Sequence, residues 1–440
     1  MVTQMIRRPF YGWYVVGAAS IVVSLCFGLA YYNNPVFYPA YIEEFGWSRT
    51  EVAAGAGVNF IFFGIMSPFI GMLADKVSVK KIILAGILCD AVAKLAFSFM
   101  NALPAYYLTN VLVGIGIACT SMLTVKMLVS KWFRKREGTA LGIVVAATAV
   151  GGGIGPILTS YLLSQSGWRT VQVLLGVIIF LLVVPVFWFV VKDSPHELNL
   201  SIDGDPLSQT RAEKESWSEA PGLTLRQALQ TPTFWLICAA ILLFHVCVIS
   251  ISQHFVLHLT DKGLDLRSAS LGLSVLLGAS IVGRLGFGAL SDKYSKKHLI
   301  ILAYSILAAM SFTLFLMATP LLSSFATSTT AIYVVAALIG IGYGGGIVSV
   351  PVVAGTCFGL SSLGKIFGLI MLFNAIGGTV GPILAGYLFD VTGSYQWSFL
   401  VVSLAAFVAV GCLAFIKTNL RPIQPKTTPS EGQLEFIASS

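Results

Sequence analysis

Twelve stretches of roughly 20 mostly apolar residues follow one another along this chain, and each is long enough to cross a hydrocarbon layer as a helix. Nothing else in the sequence narrows the fold as much. Only 10% of the 440 residues are charged, against about 25% in soluble domains. So few charges cannot cover a water-exposed surface, whereas lipid solvates apolar side chains directly. The expected spans are 11–34, 51–74, 82–101, 105–130, 138–163 and 169–191, then 232–257, 267–290, 298–318, 331–356, 366–389 and 396–416. The first run carries Trp13 and Tyr14, is long enough to span and is followed by further spans, so it is not read as a cleaved signal.

Between the two sets lies the one long polar stretch, 192–230, with Pro195, Pro206 and Pro221 and a short helix expected over Leu223 to Gln230. The expected organisation is an all-α polytopic membrane protein: a six-helix bundle over 1–191, a cytoplasmic linker over 192–230, a second bundle over 231–417 and a polar tail over 418–440. With both termini in the cytoplasm, 20 of the 27 basic residues fall in cytoplasmic segments, which is the bias that sets orientation. The net charge of +8 is therefore topological and calls for no nucleic acid. The seven cysteines sit in apolar stretches without paired metal-type spacing and read as small core residues.

The two sets repeat each other. Gly71-Met-Leu-Ala-Asp75-Lys76 ends the second span, and Gly288-Ala-Leu-Ser-Asp292-Lys293 ends the eighth. Gly142, Gly151, Gly155-Pro156 and Tyr161-Leu162 of the fifth span recur as Gly368, Gly377, Gly381-Pro382 and Tyr387-Leu388 of the eleventh, at a constant offset of 226. Ordered repetition of this kind marks a duplicated bundle. By these motifs the chain resembles the major facilitator superfamily from Phe10 to about Lys417. That resemblance implies two six-helix halves around a central cavity and alternating access by rocking of one half on the other. Asp75, Lys76, Asp292 and Lys293 are then expected to form a cytoplasmic latch, each carboxylate facing a neighbouring helix N-terminus. The alternative is a set of charges that only marks topology. The glycines of the fifth and eleventh spans allow close helix packing.

Ionisable groups inside a membrane are costly and mark functional candidates. Asp90 is the one acid that falls mid-span, four residues before Lys94, and the spacing suggests an ion pair on one helix face. A structural pair and a role in proton coupling both remain open. Arg284 stands deep in the eighth span with no acid on its helix. It cannot shed its proton, and its planar fork suits a carboxylate. A structural arginine bonded to backbone carbonyls is the other reading.

The context of Arg284, together with Tyr11-Gly12-Trp13, Phe45-Gly46-Trp47-Ser48-Arg49, Trp132-Phe133 with Lys135-Arg136, and Thr231-Pro232-x-Phe234-Trp235, resembles the monocarboxylate and oxalate/formate porter branch. There an arginine in helix eight binds the substrate carboxylate, which the resemblance transfers to Arg284. The chain departs from the branch at three places. Ser280 stands where animal carriers have an aspartate, Tyr31, Tyr32, Asn33 and Asn34 stand where they have a helix-one lysine, and Asn374 stands where the oxalate type has a lysine. The substrate-site expectation is Arg284, Tyr32, Asn33, Tyr343, Asn374, Ser280 and Thr124, with Asn59 and Thr120 as further polar liners or interhelical bonds. Proton-coupling candidates are His245, Asp90 and Lys126, the last able instead to snorkel to the interface.

The function expected is secondary transport of a small organic anion, a monocarboxylate such as lactate or pyruvate or a larger aromatic acid, together with a proton. An anion exchanger and a drug or metabolite exporter are rivals, and a non-transporting membrane sensor is a remote one. No catalysis, cofactor or metal site is expected. The partners expected are a carboxylate, a proton and the bilayer of a cell (cytoplasmic or inner) membrane, with the chain a monomer.

Overall fold

The computed structural model describes residues 10–74, 76–204, 222–319, 322, 328–359 and 362–418. Among them run twelve long helices: α1 Gly12–Phe45, α2 Arg49–Ala74, α3 Val79–Ser98, α4 Leu103–Trp132, α5 Glu137–Gln165, α6 Trp168–Val190, α7 Pro232–Asp261, α8 Leu266–Ser291, α9 Lys296–Ala318, α10 Thr329–Phe358, α11 Leu363–Thr392 and α12 Tyr395–Ala414. Eleven are long and apolar enough to cross a membrane. The twelfth, α3, carries Lys80, Lys81, Asp90 and Lys94 in 20 residues. The expected tail from residue 419 on and the linker over 205–221 lie outside the described residues. The expected linker helix is present as Leu225–Leu229, opened by a reciprocal cap between Thr224 and Gln227.

The helix ends follow from local chemistry. Gly46 takes a left-handed conformation (φ 68°) and ends α1. Two residues on, Ser48 and Glu51 exchange side-chain bonds with each other's backbone N–H at 2.8 and 3.2 Å and start α2. Thr231 caps α7, with Pro232 in its first turn. Helix α1 is longer than its apolar run suggests, reaching Phe45 rather than residue 34. It passes through a π-helical stretch, Cys26–Tyr31, and then a helical segment that contains Pro39. The polar pair Asn33-Asn34 looks like a span end in the sequence. In the structure its side chains are hydrogen-bonded inside the protein, so the helix continues.

Packing repeats with the sequence. In the first set α1 packs on α5, α2 on α4, α3 on α4 and α3 on α6. In the second set α7 packs on α11, α8 on α10, α9 on α10 and α9 on α12. The paired glycines explain one of these contacts. A Cβ at Gly151 or Gly155 would overlap the backbone carbonyls of Ser24 or Gly28 on α1. A Cβ at Gly377 or Gly381 would overlap those of Leu242 or Val246 on α7. The motif therefore lets two backbones touch within each half. The halves meet along two further seams, α2 on α11 and α5 on α8, with α1 also touching α7.

Candidate functional site

The α5–α8 seam is smooth. A Cβ on Gly153 would stand 3.3 Å from the Cα of Gly278 across it. Farther along the seam, Arg284 reaches from α8 to α5. Its Nη1 donates to the carbonyl of Val145 at 2.6 Å and to the hydroxyl of Thr148. Arg284 is 5% exposed, and its Nε has no partner among the described residues. No carboxylate forms an ion pair with it among the described residues. A permanent cation thus sits at the joint between the halves, held only by neutral acceptors.

Beside this joint, the hydroxyls of Tyr32 (α1) and Tyr343 (α10) lie 3.4 Å apart, one from each half. Tyr31 stacks obliquely on Tyr32 with centroids 5.1 Å apart, and Phe60 packs edge-on against Tyr31. Arg284, Tyr32 and Tyr343 are the expected residues that gather at the contact between the bundles. Asn374 is partly buried, with its amide nitrogen 3.6 Å from the Met371 sulfur and its oxygen unpartnered among the described residues.

Other expected site residues go elsewhere. Ser280 is buried and donates to the carbonyl of Leu277 on its own helix. Thr124 is buried and donates to the carbonyls of Cys119 and Ser121, which bridges the break inside α4. Thr120 likewise bonds back to Gly116. Asn59 is buried with its amide nitrogen unpartnered among the described residues. The ring of His245 bonds the carbonyl of Ile241 one turn earlier and packs on Phe244. Lys126 is exposed, with no side-chain partner among the described residues.

The expected Asp90–Lys94 ion pair is not formed. Both residues are fully buried, but the Lys94 ammonium turns to α1, where the amide oxygens of Asn34 and Asn33 accept from it at 3.0 and 3.3 Å. The rings of Phe37 and Phe97 stand 5.5 and 5.4 Å away. Asn33 in turn donates to Thr159 of α5 at 3.1 Å. Asn33 is therefore a node inside the first bundle and not a neighbour of Arg284. Two amide oxygens and two ring faces compete with the carboxylate for one ammonium, a competition that spacing along α3 does not reveal. Neither oxygen of Asp90 has a hydrogen bond among the described residues, and the Cys26 thiol lies beside it outside bonding geometry.

The expected latch falls only partly within the described residues. Asp75 lies outside the described residues, and Lys76, Asp292 and Lys293 are exposed without a bonded side-chain partner among the described residues. The halves are locked at the opposite face. Asp390, in the last turn of α11, accepts from the backbone N–H of Arg49 and of Thr50 at 3.0 and 2.9 Å and from the Thr50 hydroxyl at 2.5 Å. Arg49 donates to Asp261, the last residue of α7, at 2.7 Å, and to the Tyr395 hydroxyl at 3.0 Å. Its guanidinium lies 4.2 Å from the Phe389 ring centroid. Nearby, Tyr38 of α1 donates to Gln253 of α7 at 2.7 Å. This clamp escaped the reading of the sequence, although a signal was there. Asp261 and Asp390 each stand at a helix C-terminus, the wrong end of their own dipole. An acid so placed points to a partner elsewhere, here the N-terminus of α2.

The linker is tied down at the lysine-rich face. Asp193 accepts from the ammonium of Lys131 at 2.7 Å and from the backbone N–H of Lys80 at 3.1 Å. Burial raises its carboxyl, but these donors outweigh that and hold it below the usual carboxylate range.

Two six-helix sets with the same internal packing, joined along two seams and clamped at one face, make this a membrane transporter of the two-bundle kind. The sequence profile of the Major Facilitator Superfamily matches residues 20–326 and 309–439, and the chain belongs to that superfamily. It is similar to monocarboxylate transporter 13 of Rattus norvegicus, 26% identical over 406 residues, covering 91% of this chain and 87% of that one. It is also similar to monocarboxylate transporter 10 of Homo sapiens, 25% identical over 434 residues, covering 92% and 78%. A bacterial homolog of the human lysosomal transporter Spinster, crystallised inward-facing and occupied, shares the fold with a TM-score of 0.70 at 17% identity, covering 92% of this chain and 97% of that one. These relatives and structural neighbours are transporters, not enzymes.

Proposed function

We propose that this transporter carries a monocarboxylate together with a proton, and that Arg284 is the group that meets the carboxylate. The observation that carries the reading is the Arg284 guanidinium at the joint between the halves, without a carboxylate partner and with Nε unpaired among the described residues. A bidentate anion supplies the charge that Val145 and Thr148 lack. Tyr32 and Tyr343, one from each half, would close on the substrate's other end, with Asn374 a further polar contact. One cation at this place suits a monoanion over a dianion. The names of the relatives support the same class.

Asp90 is the acid proposed to carry the proton, since its buried carboxyl has no hydrogen-bond partner among the described residues. His245, bonded to its own helix, and Lys126, exposed with no partner among the described residues, are weaker carriers on this geometry. In the membrane, the Arg49 face is proposed to be outer and the lysine-rich face cytoplasmic, with both termini inside a cell membrane. Asp75, Lys76, Asp292 and Lys293 would then latch the cytoplasmic face in the alternate state. The proposed halves are 1–191 and 231–417.

The test is uptake of radiolabelled lactate into proteoliposomes under an imposed pH gradient. The parent accumulates lactate, whereas Arg284→Gln loses at least about 100-fold in uptake, the loss of one charge-assisted bidentate contact at about 3 kcal/mol. Full uptake by a folded Arg284→Gln protein refutes the anion reading. Exchange stimulated by internal carboxylate, with no response to the gradient, replaces symport with antiport.

A further inference from the structure

Beneath the clamp lies a chain of hydrogen bonds in which every direction is fixed. Arg49 Nη1 donates to the hydroxyl oxygen of Tyr395 at 3.0 Å. His254, fully buried on α7, has Nδ1 3.0 Å from that same oxygen and Nε2 2.9 Å from the carbonyl of Pro382. A carbonyl only accepts, so Nε2 carries a hydrogen. The Tyr395 oxygen already accepts from a cation, and its own hydrogen is free to point to Nδ1. The run is therefore Arg49 to Tyr395 to His254 to Pro382, and it is complete only when the imidazole is neutral. Pro382 belongs to the glycine–proline motif of α11, so the chain links the clamp to the helix whose end carries Asp390.

We propose that His254 is a proton-binding site that controls the Arg49 clamp, with the proton favouring separation of the halves at that face. A second proton on Nδ1 turns the imidazole from acceptor to donor. The Tyr395 hydroxyl then faces two donors and loses its own acceptor, and a second cation stands behind Arg49. A buried hydroxyl without a partner and two like charges at one oxygen both cost free energy. Those costs vanish once the halves part and water enters. A closed clamp that disfavours the proton is, by linkage, a clamp that the proton opens.

The surrounding charges fit. Arg49 comes from α2 and Asp390 from α11. The two oxygens of Asp390 are engaged by the backbone N–H groups of Arg49 and Thr50, and neither bonds His254 among the described residues. Helix α12 offers Tyr395. Helix α7 itself offers Asp261, committed to Arg49, the exposed Lys262, and His258, whose ring packs edge-on against Tyr395 and Phe399. Helix α1 offers Tyr38, occupied by Gln253. At the start of α8, Asp265 accepts from its own first turn and Arg267 is exposed.

The experiment needs no transported substrate, so its outcome is separate from the carboxylate reading. Nitroxides at the exposed positions Glu43 and Arg267 (Glu43→Cys and Arg267→Cys) report the distance between the halves at the clamped face in lipid nanodiscs, by pulsed electron resonance. Lowering the pH from about 7.5 to about 5.5, across the ordinary titration of histidine, raises the parted population at least about threefold in the parent. His254→Gln, whose amide can bond Pro382 and Tyr395 but takes no proton, holds the closed distance at both pH values. Should His254→Gln fail to fold, Tyr395→Phe serves instead. It removes the hydroxyl that the proton would strand, and it cuts the pH response by at least about half. An unchanged response in either folded variant, or no response in the parent, overturns the proposal.

Discussion

The two seams that join the halves are related by the internal repeat, yet they are built differently. At the α2–α11 seam the first N–H groups of α2 are satisfied by a carboxylate from the other half, Asp390. At the equivalent end of the α5–α8 seam, the first N–H groups of α8 are satisfied by Asp265 from its own chain segment, at 3.1 and 3.3 Å. Both solutions meet the same demand, since helix N-termini leave donors that need acceptors. They differ in what opening the face costs. Parting α2 from the second half at this face strips a cap, an ion pair and a cation–ring contact, all of which water can replace. Parting α8 from α5 at that end strips none of these. Deeper in that seam, Gly153 faces Gly278 without polar contact, and Arg284 grips the neighbouring helix by a carbonyl and a hydroxyl. One seam is a polar lock, and the other is a smooth bearing surface with a cation set in it. Alternating access by rocking needs both, one contact that switches and one that slides.

Three substitutions would sharpen or break this comparison. The largest effect is expected at the bearing surface. Gly153→Leu drives a side chain into Gly278 and should lower transport at least about tenfold, an overpacking cost of 1–3 kcal/mol that falls on whichever state closes the seam. Uptake by protein that still elutes as a single folded species reads this out, and normal uptake would mean the glycine contact is incidental. Next comes the lock. Asp390→Ala removes the cap supplied from the other half and should shift the balance toward parting at the Arg49 face by about 1 kcal/mol, roughly fivefold. The distance distribution between labels on the two halves measures that shift. The smallest change is expected from Asp265→Ala, which should lower thermal stability by about 1 kcal/mol and leave the distance distribution unmoved. The Ser268 hydroxyl and backbone donors hold the Asp265 carboxyl below the ordinary carboxylate range. Its contribution is therefore complete at neutral pH and fades as the pH falls through that lowered value. If Asp265→Ala parts the halves as much as Asp390→Ala, the contrast between own-chain and cross-chain capping is wrong.

The helices themselves were largely legible, because crossing a bilayer demands an apolar length that few other folds require. Even α3 could be read from the sequence despite its charges, since its apolar run surrounds Asp90 and Lys94. The extension of α1 to Phe45 was not legible. Asn33 and Asn34 look like solvent-facing residues until Lys94 and Thr159 arrive from two other helices to bond them. The same event dissolved the expected Asp90–Lys94 pair. Spacing of four residues says that two groups can meet, and it does not say what else competes for them. Arg284 was legible as an isolated cation, but its grip on Val145 and Thr148 was not, because those residues carry no mark in the sequence that a guanidinium needs them. Ser280 and Thr124 show the opposite error. A hydroxyl in an apolar helix invites a ligand, yet both bond the backbone of their own helix, the commoner fate of such residues.

What the sequence determined by itself was the number of helices, their duplication and the one charge deep within the eighth. Those follow from hydropathy, from repetition and from composition, which are properties of the chain taken along its length. Tertiary structure alone decided which polar groups share a partner: Asp390 with the N-terminus of α2, Lys94 with two asparagines, His254 with Tyr395 and Pro382. Hydrogen bonds and ion pairs act over a few ångströms, and only the fold brings residues 60 to 341 positions apart within that reach.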